Sequence, residues 1–397
     1  MGSEGLHEKQ SLDCFTVLLP EASGRQVLPM AKELSALGCR IITVQEHKSD
    51  LGNKTRYADK KYVVEGVDTN EEIATKFYLD LLKRESIDLV IPLSDFSAGI
   101  FAKHKEEVEK ASRTRIATND YPVFMQAFDK LNTMKVCMKN GIPCPRTLDA
   151  IETIDDVPYE LSYPVLLKPR SSCGSIGLHI AENRECLGRY IDQVHSENLG
   201  DVLVQEFIPQ TGRQYNAHFV MDGYSNVKSA VLTEKCRWFP LDGGASTLCR
   251  TIHNEDILSS CEKLLKTIGW VGYCDLDLME DPRDGVVKVI EINARISANV
   301  KICFAAGINV ARQILQLYRE EKVTPENEYK DDVRLRCLHT DLLWFIKSSD
   351  RFKANPSWFS LKRTTDQIWS WADPLPFFAF SFQALGRYRK EMKKRER

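Results

Sequence analysis

The chain has 397 residues, a formal net charge of −2 and 28% charged residues. That length can bury a substantial core in two or three domains, and the charge balance excludes a global field that would draw nucleic acid or an acidic polymer. Its twelve cysteines include no C-x-x-C pair and no Cys/His cluster at zinc spacing, which argues against a thiolate metal site and against a disulfide framework.

The opening stretch MGSEGLHEKQSLDCF is polar, with no apolar signal-peptide region, and no run in the chain approaches 18 apolar residues. A reducing cytoplasm is the expected setting. Leu6 stands where a myristoylation signal needs Ser or Thr. Residues 15–19 (FTVLL) read as a buried strand, EASGRQ as a turn, 25–38 as a helix closed by Gly38, and 40–44 (RIITV) as the next strand. A helix near 71–85, a strand at 88–93 (DLVIPL), a helix to about 111 and a short strand at 115–118 complete a small parallel α/β domain. The Gly24 turn lacks G-x-G-x-x-G, and no Walker A loop occurs.

From about residue 119 the pattern predicts a helix with Phe124, Phe128, Leu131 and Met138 on one face, stopped by Gly141 and Pro143. YPVLLKPRSSCGSIGLHIA reads as strand, small-residue loop, strand, and DVLVQEFIP at 201–209 as another strand. Residues 256–268 form an amphipathic helix. GYCDLDLMEDPRDGVVKVIEINAR then reads as two strands joined by a turn at Asp281–Gly285.

That hairpin carries the strongest chemistry. Period two places Glu291, Asn293 and Arg295 on one face and Ile290, Ile292 and Ala294 on the other. A loop over 282–286 sets Asp277 opposite Glu291, with Asp275 on the same face. Facing carboxylates repel unless a cation lies between them, and oxygen ligands suit Mg²⁺, which is usually held by one or two carboxylates together with substrate phosphates. A nucleotide is therefore the expected partner. Lys168 ends an apolar strand just before the Ser171–Gly177 loop, where Ser171, Ser172, Gly174 and Ser175 can donate to phosphate oxygens.

In order and spacing these segments, from about Tyr121 to Asn309, resemble the ATP-grasp superfamily, and within it the carbamoyl-phosphate-synthase-like and D-aspartate-ligase-like carboxylate–amine ligases. The resemblance implies an α/β fold, α+β in its ATP-grasp part: an N-terminal parallel domain (1–118), then a two-subdomain ATP-grasp fold (119–200 and 201–320) and a C-terminal extension (321–397). It implies that Lys130 and Lys168 contact ATP phosphates, that Glu206 and the backbone of Phe207 and Ile208 hold adenine, and that Gln214 stands where the family usually places a ribose-binding glutamate. Asp277, Glu291 and Asn293 would hold one or two Mg²⁺ (or Mn²⁺) ions, and Arg295 would face the transferred phosphoryl group.

The implied reaction is ATP-dependent joining of a carboxylate to an amine, or to a thiol, through an acyl-phosphate, on an amino acid, a peptide or a cell-envelope precursor. Alternatives are an acyl-phosphate-forming enzyme with another acceptor and a non-catalytic ATP-binding regulator. Arg237, Gly243, Gly244 and Ser246 are candidates for gripping the carboxylate, with Arg250 a lesser one. Past residue 340 come four tryptophans, DPLPFFAFSF, and a tail in which seven of the last eleven residues are Lys or Arg, a pattern that fits either a solvated tail or a peripheral contact with an anionic membrane. A homo-oligomer is compatible with the sequence, which does not specify one.

Overall fold

The computed structural model describes residues 14–149, 151–169, 179–196, 202–241 and 244–384. The first unit is β1 (Thr16–Leu19), α1 (Val27–Ala36), β2 (Arg40–Gln45), α2 (Leu51–Lys54), β3 (Lys60–Val63), α3 (Glu71–Arg84), β4 (Leu89–Val90), α4 (Asp95–Ala111) and β5 (Arg115–Ile116). Its strands are parallel, in the order β3-β2-β1-β4-β5. Alternation along β1 explains its two-sided burial: Leu18 faces Tyr78 of α3 and Phe101 of α4, whereas Val17 and Leu19 face α1. The strand order reverses between β1 and β4, the place where open α/β sheets form a crevice. Strand β3 was not legible in the sequence, because KKYV is a half-exposed edge strand.

Two helices follow where one is predicted. α5 (Tyr121–Phe128) ends at Asp129, whose carboxylate accepts from Leu131 N and Asn132 N and starts α6 (Lys130–Lys139). The break rotates the buried face, so Met134 and Cys137 are buried and Met138 is 42% exposed. A small antiparallel sheet, order β6-β9-β7-β8, comprises β6 (Thr147–Leu148), β7 (Val165–Pro169), β8 (His179–Ala181) and, after α7 (Arg184–Ser196), β9 (Val202–Glu206). Leu187, Ile191 and Val194 of α7 cover it at helical spacing.

The large sheet is built from β10 (Gln214–Met221), β11 (Val227–Phe239), β12 (Ala245–Ile252), then α8 (Glu255–Ile268), β13 (Gly272–Glu280) and β14 (Val287–Asn293). After α9 (Lys301–Ala306) and α10 (Val310–Tyr318), β15 (Arg334–Arg336), α11 (Leu338–Lys347) and β16 (Thr364–Asp366) complete the order β14-β13-β10-β11-β12-β15-β16. One face, with Ala217, Phe219, Leu276 and Ile292, packs on α5, α6 and α8. The other, with Val220, Val231 and Tyr273, shares a core with α1, α9 and α10 and so joins this sheet to the first unit.

The segment boundaries expected from the sequence do not follow these sheets. A cut at residue 200 separates β9 from the small sheet it completes, and one at 320 detaches β15 and β16 from the large sheet. Both pairings are long-range and leave no periodic trace in the sequence.

Candidate active site

The β13–β14 register sets Asp277 opposite Glu291 and Asp275 opposite Asn293, as alternation predicts. The route differs in one detail. Glu280 pairs with Val287 and Leu278 with Val289, and a bulge between Asp277 and Leu278 then restores the Asp277–Glu291 pair. Ile290, expected on the apolar face, falls at this bulge and is only half-buried, and Val289 takes the core position beside Ile292.

Neighbouring strands bring further polar groups onto the same face. Asn216 of β10 lies opposite Asp277 and His218 opposite Asp275. Asn216 Nδ2 donates to Asp277 Oδ1, and Lys235 Nζ of β11 stands 3.2 Å from the same oxygen. Lys168 of β7 is buried near Glu291, and Lys130 Nζ, at the start of α6, lies 3.5 Å from Glu291 Oε2. Arg295 Nη2 donates to Asn293 Oδ1 at 2.9 Å, and its Nε lies 3.6 Å from Asp95 Oδ2 at the start of α4. Two sheets, α6 and the helix after the β4 crevice thus converge on one cluster.

The charges are mutually adjusted. Burial, then the neighbouring Asp277, raises Glu291, and the two carboxyl groups share a hydrogen bond. Burial opposes ionisation of Asp277 too, but Lys235, with Glu291 and Arg295, outweighs it and carries Asp277 below the usual carboxylate range. Burial, reinforced by Asp277, lifts Asp275 to about 7. Lys168 falls to about 8 because burial penalises its charge, with Glu291 pulling upward and Lys130 downward. Buried His218 is depressed to about 4 and accepts or donates at Nδ1 with Tyr273 Oη, 2.9 Å away.

Among the described residues no three His, Cys, Asp or Glu side chains converge as a ready-made metal cage. A site using two carboxylates and phosphate oxygens needs none. Asp275 Oδ1, Asn216 Oδ1 and His218 Nε2 are buried without a hydrogen-bond partner. Such groups are costly to bury, so this polar face fits a further ligand. Asp277 and Glu291 fit an Mg²⁺ ion held jointly with phosphates. Asn293 has its amide between Asp275 and Arg295, leaving its second oxygen lone pair for a ligand.

The other sequence-predicted residues separate into groups. Gln214 is buried at the start of β10, two positions from Asn216 and on its face. Glu206 ends β9 with its carboxylate bonded to Arg146 N, Arg283 and Lys288, and Ile208 beyond it is buried while Phe207 is half-buried. Glu206 therefore ties β9 to the β13–β14 turn, and its backbone N–H donates to Arg146 O at 2.8 Å, so neither its carboxylate nor that N–H is left for a base edge. Ser171, Ser172, Gly174, Ser175 and Gly243 lie outside the described residues.

Arg237 is corrected. Lys235 pairs with Cys249 but Arg237 with Leu248, so a bulge turns Arg237 off the face that carries Lys235. Its guanidinium binds Asp341 at 2.8 and 2.9 Å and Pro356 O at 2.8 Å, and is not available to a substrate. Ser246 is buried against Arg237 O, and Arg250 is paired with Glu234. A Cβ on Gly244 would lie 2.5 Å from Phe239 O, so this glycine serves the hairpin. Gly244→Ala is expected to cost about 1–3 kcal/mol in urea unfolding, without the change in substrate KM that a gripping loop would give.

Asn216, Lys235 and Asp95 were missed as site residues. The alternation of Gln214, Asn216 and His218 in QYNAHF was a readable sign of a polar face. Nothing local places Lys235 or Asp95, which arrive through strand pairing and domain contact.

Residues 127–299 match the family model described as an ATP-grasp domain. The chain is 26% identical over 271 residues to D-aspartate ligase of Enterococcus faecium, covering 63% of this chain and 62% of that protein. It is 24% identical over 318 residues to the carbamoyl phosphate synthase large chain of Gemmatimonas aurantiaca, covering 73% of this chain and 27% of that one. The chain thus spans less than two thirds of either relative. Its fold is similar to a biotin carboxylase complex with β,γ-ATP from Campylobacter jejuni (TM-score 0.69, 17% identity, 80% of this chain and 74% of that one). It is also similar to the L-amino acid ligase from Bacillus licheniformis (TM-score 0.59, 16% identity, 78% and 77%).

Proposed function

We propose that this chain, which belongs to the ATP-grasp superfamily through residues 127–299, is an ATP- and Mg²⁺-dependent ligase that joins a carboxylate to an amine. The observation that carries this reading is the Asp277–Glu291 pair with Lys130, Lys168, Lys235 and Arg295 around it. Such a mixture suits phosphoryl transfer, in which catalysis is mostly positioning and charge neutralisation.

Asp277 and Glu291 would hold Mg²⁺, which when bound neutralises phosphate charge. Lys168 and Lys130, entering from the small sheet and α6, bind the phosphates. Arg295, held by Asn293 and Asp95, faces the transferred group. A carboxylate oxygen of the first substrate attacks the γ-phosphorus and ADP leaves. The amine nitrogen then attacks the acyl carbon, phosphate leaves, and the nitrogen gives up a proton. We place the reaction in a reducing cytoplasm on the cysteine pattern, with amino acids or peptides as the first substrates to try.

The test is phosphate release from MgATP against a panel of carboxylate and amine pairs, with products weighed by mass spectrometry. Stoichiometric phosphate with a condensed product is the expected result. ATP binding with no product from any amine, thiol or lipid-linked acceptor would overturn the ligase reading.

Lys168 supplies a pH signature. With its pKa lowered to about 8, it loses charge as pH rises through that value, and ATP affinity should fall over the same interval. Phosphates that favour the charged form should draw a proton onto Lys168. Calorimetry near its pKa in buffers of different ionisation enthalpy is expected to show net proton uptake, abolished in Lys168→Met. Equal heats in all buffers would remove Lys168 from the phosphate site.

A further inference from the structure

The C-terminal region presents an apolar surface that the ligase reading does not use. Residues 375–384 are helical, and Phe377 and Phe380 on the inner side pack against the core. The outer side is apolar as well: Leu375, Phe378 and Phe382, at i, i+3 and i+7, are 64%, 51% and 75% exposed, and Trp371 just before them is 87% exposed. A helix apolar on both sides belongs in a buried setting, so its outer face calls for a covering.

α11 lies beside this helix. His339 contacts the rings of Phe377 and Phe380 and hydrogen-bonds Ser381 Oγ at 2.7 Å, which docks the two helices side by side. On α11, Leu338, Leu342 and Ile346 form a second exposed stripe at spacing four. Phe345 then meets the exposed rings of Phe352 and Phe359.

The charge around this surface is predominantly basic, the acidic side chains beside it, Asp50 and Asp366, being tied to Gln383 and to Leu338 N. Residues 346–363 carry Lys347, Arg351, Lys353, Lys362 and Arg363 against Asp350 alone. Immediately after the helical segment, residues 385–397, outside the described residues, hold seven lysines and arginines against two glutamates, a net of +5 in a chain whose total is −2. No helix among the described residues is long and apolar enough to cross a membrane. Two copies facing each other here would bring like charges together, whereas apolar side chains bordered by lysine and arginine match a bilayer with anionic headgroups.

We propose that the 375–384 helix and α11 form a peripheral docking surface for anionic lipid bilayers. Aromatic and leucine side chains enter the headgroup boundary, and the basic residues of 346–363 and 385–397 engage lipid phosphates and carboxylates. The surface is separate from the Asp277–Glu291 cluster and does not depend on the proposed reaction.

Co-sedimentation of the full chain with phosphatidylcholine vesicles, with and without phosphatidylserine, tests it. Binding is expected only to the anionic vesicles and should weaken in high salt. The triple charge reversal Lys393→Glu, Lys394→Glu, Arg395→Glu should lower partitioning by about a hundredfold, at about 1 kcal/mol for each basic residue removed. Phe378→Ser with Phe382→Ser should lower it by about tenfold, with a cooperative thermal transition showing that the variant is folded although Phe378 loses its ring contacts with Trp369 and Phe377. Equal partition onto neutral and anionic vesicles, or no partition, would overturn the proposal. So would sedimentation showing a dimer that the Phe378→Ser, Phe382→Ser variant dissociates while vesicle binding is absent.

Discussion

Replacing Glu291 with glutamine is expected to lower Mg²⁺-dependent ATP turnover by about 10²–10³-fold, the range found when one charge-stabilising group is removed from an active site. The fold should survive, and stability should rise slightly. Burial and Asp277 both penalise the ionised Glu291 carboxylate, so a neutral amide of the same shape relieves repulsion across the β13–β14 pair. Asp277→Asn should behave differently. Asp277 is held ionised by Lys235, with Asn216 donating to it, so neutralising it leaves a buried ammonium without its counter-charge and should lower both turnover and stability. Urea unfolding beside phosphate release separates the two variants. Undiminished turnover in Glu291→Gln would remove the metal assignment, and loss of activity together with unfolding would make the residue structural.

The opposite stability responses reflect what the sequence could and could not disclose. Alternation in IEINAR and in CDLDLM, with a short turn between them, was enough to pair Asp277 with Glu291, because a hairpin is local and its register follows from its turn. The parallel first sheet was legible in the same way from buried strands alternating with helices. What decides which carboxylate is ionised was not legible. Lys235 reaches Asp277 through the pairing of β10 with both β11 and β13, and Asp95 reaches Arg295 through the long-range packing of the first unit on the large sheet and its helices. The same limit misplaced Arg237, since a bulge at Cys236 changes which face the side chain takes and leaves no sign in EKCRWF.

That misplacement leads to the largest stability effect expected in the molecule. Asp341 of α11 has a fully buried side chain and accepts from Arg237 Nε and Nη2 and from Thr247 Oγ1, while Arg336 Nε lies 2.7 Å from its Oδ2. One carboxylate thus balances two buried guanidinium groups, which also lie over Trp344 and Trp358. Asp341→Ala leaves both cations uncompensated and is expected to cost roughly 3–5 kcal/mol, the usual penalty for breaking a buried pair from one side. Arg237→Met should cost less, because it leaves Arg336 and Asp341 as a one-to-one pair and replaces the guanidinium with an apolar chain of similar reach. If Arg237 is structural, this variant keeps the KM for the carboxylate substrate while its denaturation midpoint drops. A stable Arg237→Met protein with KM raised tenfold or more would return Arg237 to the substrate site and require α11 to move for it to get there.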